Sequence, residues 1–168
     1  MATFFSNRQA VTIRPIQPSD FALERDFVHG LSLESGTNRL MSPRMPSDAE
    51  IHRWTETDPE REVALIATTE VQGRVQQAGV ARYVLDDSGQ TAEFAIVLAD
   101  AWHGRGLGSA LLAQLIRQAR EAGLRQLFGT TASDNRAMIG LARRHGFNIR
   151  RDPGSAAVTL LELALAGD

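Results

Sequence analysis

The 168-residue sequence predicts a mixed α/β fold, with a mostly antiparallel central sheet flanked by helices. Three observations carry that expectation. Strand-like segments between Arg61 and Leu98 are separated only by turn residues, the pattern of an antiparallel meander. The apolar period then changes from two to about 3.6 at Leu107, where a long amphipathic helix begins. A strand, a shorter helix and two more strands follow, joining a β-α-β unit to the meander.

Val11-Thr-Ile-Arg-Pro-Ile16 alternates apolar and polar positions and is predicted as the first strand. Pro18-Ser-Asp20 supplies helix-start chemistry for a segment reaching Leu31. Ser47 and Glu50 fit a capping box, which places a second helix from Ser47 to Thr57, and the Ser/Pro-rich passage Met41–Ser47 reads as the loop before it. The run Val63-Ala-Leu-Ile-Ala67 marks a buried strand within Arg61–Thr69. Gly73 turns the chain into Ala78–Leu85, and Asp86-Asp-Ser-Gly89 turns it again into Thr91–Leu98. Leu107, Leu111, Leu115 and Ala119 then recur four residues apart, with Leu112 and Ile116 widening the stripe and Gln114, Arg117, Gln118 and Glu121 on the other side. Gly123 is placed to stop that helix. Leu124–Thr131 is a predicted strand, Asn135–Arg144 a helix, and Phe147–Arg151 and Ala157–Leu165 the last strands.

The length suits one domain over residues 1–168, and 43% apolar with 23% charged residues is ordinary for a globular chain. A formal charge of −2 gives no electrostatic ground for a nucleic-acid or anionic-membrane partner. There is no cysteine, hence no disulfide, thiolate nucleophile or Cys-ligated zinc. All 18 basic residues are arginine, and the absence of lysine excludes Schiff-base chemistry and a Walker phosphate loop. His29, His52, His103 and His145 show no paired ligand spacing, so no metal is expected. No run reaches the ~18 apolar residues of a membrane span, and Met1–Arg8 lacks the basic-then-apolar order of a secretory signal. The expectation is a cytoplasmic protein.

The richest segment is Trp102-His-Gly-Arg-Gly-Leu-Gly-Ser109, which joins the third meander strand to the long helix. Alternate glycines let a backbone turn sharply and approach a ligand, and the helix that follows offers unpaired N–H groups at its positive end. Together they form an anion site suited to a phosphate or pyrophosphate, to which Arg105 and Ser109 could add side-chain contacts. The Gly104-x-Gly106-x-Gly108 spacing differs from the Gly-x-Gly-x-x-Gly of a dinucleotide fold. The loop alone leaves a second reading open, a flexible glycine turn without a ligand.

Trp102–Leu112 resembles the acetyl-CoA loop and helix of the GNAT superfamily of N-acetyltransferases, Gln/Arg-x-x-Gly-x-Gly/Ala. His103, Gly106 and Gly108 take the defining positions, with His103 standing where the family has Gln or Arg. Asn135-Arg-Ala-Met138 followed by His145-Gly-Phe147 is similar to the family's later Asn-x-x-Ala/Met…Gly-Phe element, and the order of elements matches over residues 11–165. The resemblance implies acetyl-CoA as co-substrate, held by His103, Gly104, Arg105, Gly106, Leu107, Gly108 and Ser109. It implies that backbone N–H groups near Ile96, Val97 and Leu98 serve the pantetheine arm and the oxyanion, because family members splay this strand from its neighbour. Asn135 either bonds the pantetheine or caps its own helix.

A narrower resemblance covers residues 27–147. Ser32-Leu-Glu-Ser35 with Arg39, Asp58 before Val63–Ala67, and Ala92-Glu-Phe-Ala95 are similar to bacterial Pat-type protein-lysine acetyltransferases, which act on acyl-CoA synthetases. Leu33, Thr37 and Leu40 depart from that group's Pro, Tyr and Phe, and at 168 residues the expectation is a transferase domain without that group's usual second domain. The resemblance implies Glu93 as the catalytic base. The strand itself admits two readings of Glu93: a partly buried base, or a solvent-facing glutamate sharing a face with Ala95 and Val97. The family's usual acid is a tyrosine where this chain has Ala142; Tyr83 lies on an earlier strand and reads as packing, so no acid is assigned. Glu34 and Arg39 either line the acceptor site or form a surface pair, and Trp54 and Trp102 read as core aromatics. Arg143-Arg144 and Arg150-Arg151 are solvated charge unless the fold converges them on the CoA phosphate.

The expected activity is acetyl transfer from acetyl-CoA to a primary amine, foremost a protein lysine. A small-molecule amine acceptor and a non-catalytic acyl-CoA-binding sensor are the alternatives, and a homodimer is compatible with either.

Overall fold

The computed structural model describes residues 1–6, 9–31 and 45–165, with Phe4 described by its backbone alone. Strands β1 (Ala2–Ser6) and β2 (Gln9–Pro15) form a hairpin, and a 3-10 turn at Pro18–Asp20 leads into helix α1 (Phe21–His29). Helix α2 (Asp48–Thr55) precedes the meander β3 (Glu62–Val71), β4 (Arg74–Leu85) and β5 (Thr91–Leu98). Then come α3 (Leu107–Glu121), β6 (Gln126–Ala132), α4 (Arg136–Arg144), β7 (Asn148–Asp152) and β8 (Ser155–Ala164). The strands make one sheet in the order β1-β2-β3-β4-β5-β6-β8-β7.

The predicted order of elements is therefore present, with one addition. β1 is not among the predicted strands, because Thr3-Phe-Phe-Ser6 lacks alternation and Phe5 is 68% exposed. It pairs with β2 in the register Ala2↔Ile13 to Ser6↔Gln9, and Ala2 packs against the core under α3. The first helix stops at His29, before the expected Leu31, where the Gly30 N–H closes on the Asp26 and Phe27 carbonyls. The expected capping box is formed: Ser47 Oγ accepts from the Glu50 N–H at 3.2 Å, and the Glu50 carboxylate accepts from the Ser47 N–H at 3.4 Å. Residues 32–44, which hold Glu34, Arg39 and most of the predicted Met41–Ser47 loop, lie outside the described residues.

Each face of the sheet has its own core. On one face lies α3, whose Leu107, Leu111, Leu112 and Leu115 are fully buried against Val11, Leu65, Tyr83, Phe94, Leu127 and Leu161. Burying each such leucine stabilises the fold by about 1.5–3 kcal/mol. The other face packs Ile16, Phe27, Val28, Ile66, Val80 and Val97 under α1, with Trp54 of α2 at the margin. Arg82 of β4 is half-buried here and donates from Nη2 to the Trp54 carbonyl at 2.9 Å. Burial lowers its pKa, and the negative charges of Glu24 and Glu62 oppose that.

All neighbouring strands are antiparallel except β5 and β6, whose parallel ladder spans only Thr91–Glu93 against Gln126–Phe128. Beyond it, β5 stays paired to β4 through Leu98, while β6 stays paired to β8 through Ala132. The two strands part at Phe94, and the sheet opens as a fork. Gly129 permits this, because a Cβ there would lie 2.8 Å from Phe94 Cε1 and 3.1 Å from its carbonyl oxygen. The Phe94 ring also meets Phe147, centroids 5.2 Å apart, which fixes the crotch of the fork.

The turn into α1 depends on a polar contact that can be tested. Arg14 Nη1 and Nη2 donate to the two Asp20 oxygens at 2.8 and 2.7 Å, and the Gln17 N–H donates to Oδ2 at 2.7 Å. The Arg14 hydrogen bonds, the Gln17 amide and the Arg14 charge together hold the buried Asp20 carboxyl below the usual carboxylate range. The folded state thus binds the proton less tightly than the unfolded chain. Its stabilisation is present above the unfolded value of about 3.9 and is lost as pH falls through the lower folded value. In urea unfolding, Asp20→Asn should cost about 2 kcal/mol at neutral pH. The gap from the parent protein should close as pH falls below about 4; a gap independent of pH would contradict the assignment.

Candidate active site

The site forms where the fork opens beside the N-terminus of α3. In a strand, successive residues direct their backbone N–H and C=O to alternate edges. The Ala99 N–H donates to the Ala78 carbonyl and the Asp86 N–H to the Thr91 carbonyl, so odd-numbered residues of β5 face β4. Phe94, Ile96 and Leu98 therefore present their backbone groups to the fork. Val97 also lines the cleft, but its side chain packs in the core under α1 and its N–H belongs to the β4 edge. This narrows the expected backbone donors to Ile96 and Leu98.

The glycine loop follows directly. Gly104 and Gly106 adopt φ of +72° and +85°, a left-handed conformation that costs other residues about 1–2 kcal/mol. Gly106 is the N-cap of α3 and brings no side chain to it, and the first helical bond runs from the Ala110 N–H to the Gly106 carbonyl at 3.2 Å. The N–H groups of Leu107, Gly108 and Ser109 thus precede the helix's own hydrogen bonding and are available to an anion. Gly108 lets the helix start lie against the cleft floor, since a Cβ there would stand 3.2 Å from Leu141 Cδ2 and 3.5 Å from Leu98 Cδ1.

Between these elements and α4 lies a cleft of about 320 Å³. Of the predicted residues, Ile96, Val97, Leu98, His103, Gly104, Gly106, Gly108 and Asn135 line it. Leu107 is buried in the core, Ser109 donates or accepts a 2.8 Å hydrogen bond with His145 Nε2, and Arg105 turns away from the cleft. Those three can meet a ligand there by backbone, not by side chain. His103 reaches back so that Nε2 stands 3.3 Å from the Leu98 carbonyl. Asn135 caps α4, accepting from the Met138 N–H at 3.2 Å and donating to Thr131 Oγ1 at 3.1 Å, so the capping role is filled while the residue also lines the cleft.

Sequence reasoning missed Arg136, Met138 and Leu141, and left Arg144 undecided; all four line the cleft. The available signal was the three-residue spacing of Met138, Leu141 and Arg144, which share a face of α4, but a face of that kind is usually core. Arg143 is not among the lining residues, and Arg150 is paired with Glu162 of β8 at 2.6 Å. His145 lies just behind the cleft, and burial, with the Arg144 charge, pulls its pKa below the ordinary imidazole value.

Glu93 lies apart from this cleft. It sits on the α1/α2 face of β5 with Ala95 and Val97, opposite Val84 of β4, and its side chain is exposed. The partial burial expected of it is not found, because this end of the strand face is open, with Val84 itself 39% exposed. Asp58 shapes the turn before β3, where its carbonyl accepts from the Glu62 N–H at 2.8 Å and its Oδ1 from the Glu60 N–H at 3.0 Å. Trp102, Tyr83 and Ala142 are buried. Among the described residues, no group of three His, Cys, Asp or Glu could hold a metal ion, and no helix is long and apolar enough to cross a membrane.

The arrangement combines uncapped helix N–H groups, two arginines on α4 and an apolar strip of Ile96, Leu98, Met138 and Leu141. It suits a ligand with a phosphorylated head and a long, mostly apolar arm. The acetyltransferase (GNAT) family matches residues 29–147. The chain belongs to this family. An acetyltransferase of Pseudomonas aeruginosa is 31% identical over 156 residues, 92% of this chain and 84% of that protein. Acetyltransferase Pat of Mycolicibacterium smegmatis is 30% identical over 135 residues; the match takes in 80% of this chain but only 40% of Pat. The GNAT domain of Streptomyces lividans PAT superposes with a TM-score of 0.86 at 28% identity, over 98% of this chain and 96% of that one. Structures of this fold have been solved with acetyl-CoA and with coenzyme A. The protein is an acetyl-CoA-dependent N-acetyltransferase, and its fork, glycine loop and α4 face fit that co-substrate.

Gly106→Ala should raise the KM for acetyl-CoA about tenfold, the equivalent of one left-handed residue's strain, with kcat at saturation nearly unchanged. Steady-state kinetics with acetyl-CoA varied would show it, and an unchanged KM would contradict the role of this turn.

Proposed function

We propose that this enzyme acetylates the side-chain amine of a lysine on another protein, with Glu93 as its base. The observation that carries the reading is the setting of Glu93. It is an exposed carboxylate on β5, one residue before the strands part, on the face opposite α3. An open strand face suits a lysine presented by a folded partner better than an enclosed pocket would. The similarity to Pat, 30% identity over 135 residues, supports the same choice.

The chemistry follows from the residues. An ammonium has no lone pair for a carbonyl carbon, so the acceptor must first lose a proton. Glu93 accepts it, directly or through water. Acetyl-CoA supplies the acetyl group as a thioester. The Ile96 and Leu98 N–H groups, free on the fork edge, stabilise the carbonyl oxygen as negative charge develops on it. The amine nitrogen bonds to that carbon and gives up its second proton to water, and the carbon–sulfur bond breaks. The buried Ala142 offers no proton, so the sulfur leaves as a thiolate or takes a proton from water.

The test is incubation with acetyl-CoA and an intact acyl-CoA synthetase, followed by mass spectrometry for acetyl-lysine. Because the enzyme has no lysine, such a signal comes from the partner. Glu93→Gln should lower kcat about 100-fold or more and leave CoA affinity unchanged. Turnover of small amines without protein acetylation would overturn the acceptor class. An unaffected rate in Glu93→Gln would overturn the base.

A further inference from the structure

Arg105 stands between two left-handed glycines in the loop that meets the phosphates, yet its side chain is not in the cleft. Its guanidinium carbon lies 3.7 Å from the centroid of the Trp102 ring, and that residue is only 6% exposed. Nε donates to Ser6 Oγ at 3.1 Å, and Nη2 donates to Gln9 Oε1 at 3.3 Å and the Ser6 carbonyl at 3.5 Å. Ser6 and Gln9 are the paired residues that close the β1–β2 hairpin. The loop is thus held by an element almost a hundred positions away in the chain.

We propose that Arg105 is a positioning residue, a latch that fixes the cofactor loop to the N-terminal hairpin and so sets the orientation of the helix N–H groups. The physical need is plain. Gly104 and Gly106 give the loop the conformations it requires and also the freedom to leave them. An anion site made of backbone N–H groups binds tightly only if those groups are already aligned, because ordering them on binding costs affinity. Arginine suits this role, since its planar guanidinium stacks on the indole while its edge donates to two hydrogen-bond partners at fixed angles. Trp102, immobile in the core, supplies the fixed platform. The three hydrogen bonds of Arg105 go to neutral oxygens, so they leave its positive charge near the loop instead of cancelling it.

The inference rests on acetyl-CoA binding and is independent of the acceptor. Its test measures CoA dissociation by calorimetry together with steady-state kinetics. Arg105→Gln should raise the CoA Kd and the acetyl-CoA KM about tenfold, with kcat at saturation and the acceptor KM within about twofold. Arg105→Lys, which keeps the charge but loses the planar fork, should be weakened nearly as much. Gln9→Ala should weaken binding about threefold, and should add little once Arg105→Gln is present, since the two share one contact. The proposal is overturned if Arg105→Lys binds CoA like the parent, or if the effects of Gln9→Ala and Arg105→Gln simply add. The first result would make Arg105 a direct phosphate ligand, and the second would separate its effect from the hairpin contact. A kcat that falls in step with binding would also overturn it.

Discussion

Gly129 has no side chain, and the ring and carbonyl of Phe94 occupy the space where one would stand. That close approach lies where β5 and β6 cease to pair, and much of the molecule is arranged around it. With β4 holding one strand and β8 the other, the sheet cannot close the gap by sliding. The Ile96 and Leu98 backbone groups are left facing an opening instead of a neighbouring strand. An unpaired strand edge inside a sheet is costly unless something fills it, and here the edge becomes the wall of the cofactor cleft. Helix α3 closes one side with fully buried leucines, and α4 brings arginines and apolar residues to the other.

In the proposed reaction, binding and chemistry are divided between the two faces of the sheet. The helix N–H groups, Arg136 and Arg144 gather positive potential on the α3/α4 side, suited to a polyanionic co-substrate despite a net charge of −2 for the whole chain. Glu93 points to the other side, where α1 and α2 lie. A negative residue there attracts an ammonium and does not weaken the phosphate site behind the strand. The alternation of β5 is what separates the two: Ile96 and Leu98 give backbone to the fork, while the side chains of Glu93, Ala95 and Val97 share the face toward α1 and α2.

Much of this is legible in the sequence alone. The period-3.6 stripe from Leu107 is the buried face of α3, the Asp86–Gly89 turn joins β4 to β5, and Ser47 with Glu50 caps α2. Local patterns suffice where local physics decides. What stays hidden depends on distant partners. β1 exists because it pairs with β2, and the Phe94–Gly129 contact joins strands far apart in sequence. Arg105 reads as a phosphate ligand because nothing near it in sequence announces Ser6 and Gln9. Arg136 and Arg144 resemble ordinary surface charge until α4 is seen lining the cleft. The spacing around Glu93 leaves a partly buried and a solvent-facing reading open, because burial at that strand end depends on what packs over it, and the side chain is exposed.

The central claim is that the fork is where acetyl-CoA binds. Residue-resolved amide hydrogen exchange, with and without coenzyme A, tests it most directly. Exchange should slow at Ile96 and Leu98 and at Leu107–Ser109, with Val97 little changed because its N–H already faces β4. Unchanged exchange at Ile96 and Leu98, with protection instead around Phe27 and Gln77 in the second cleft between α1 and β4, would contradict it.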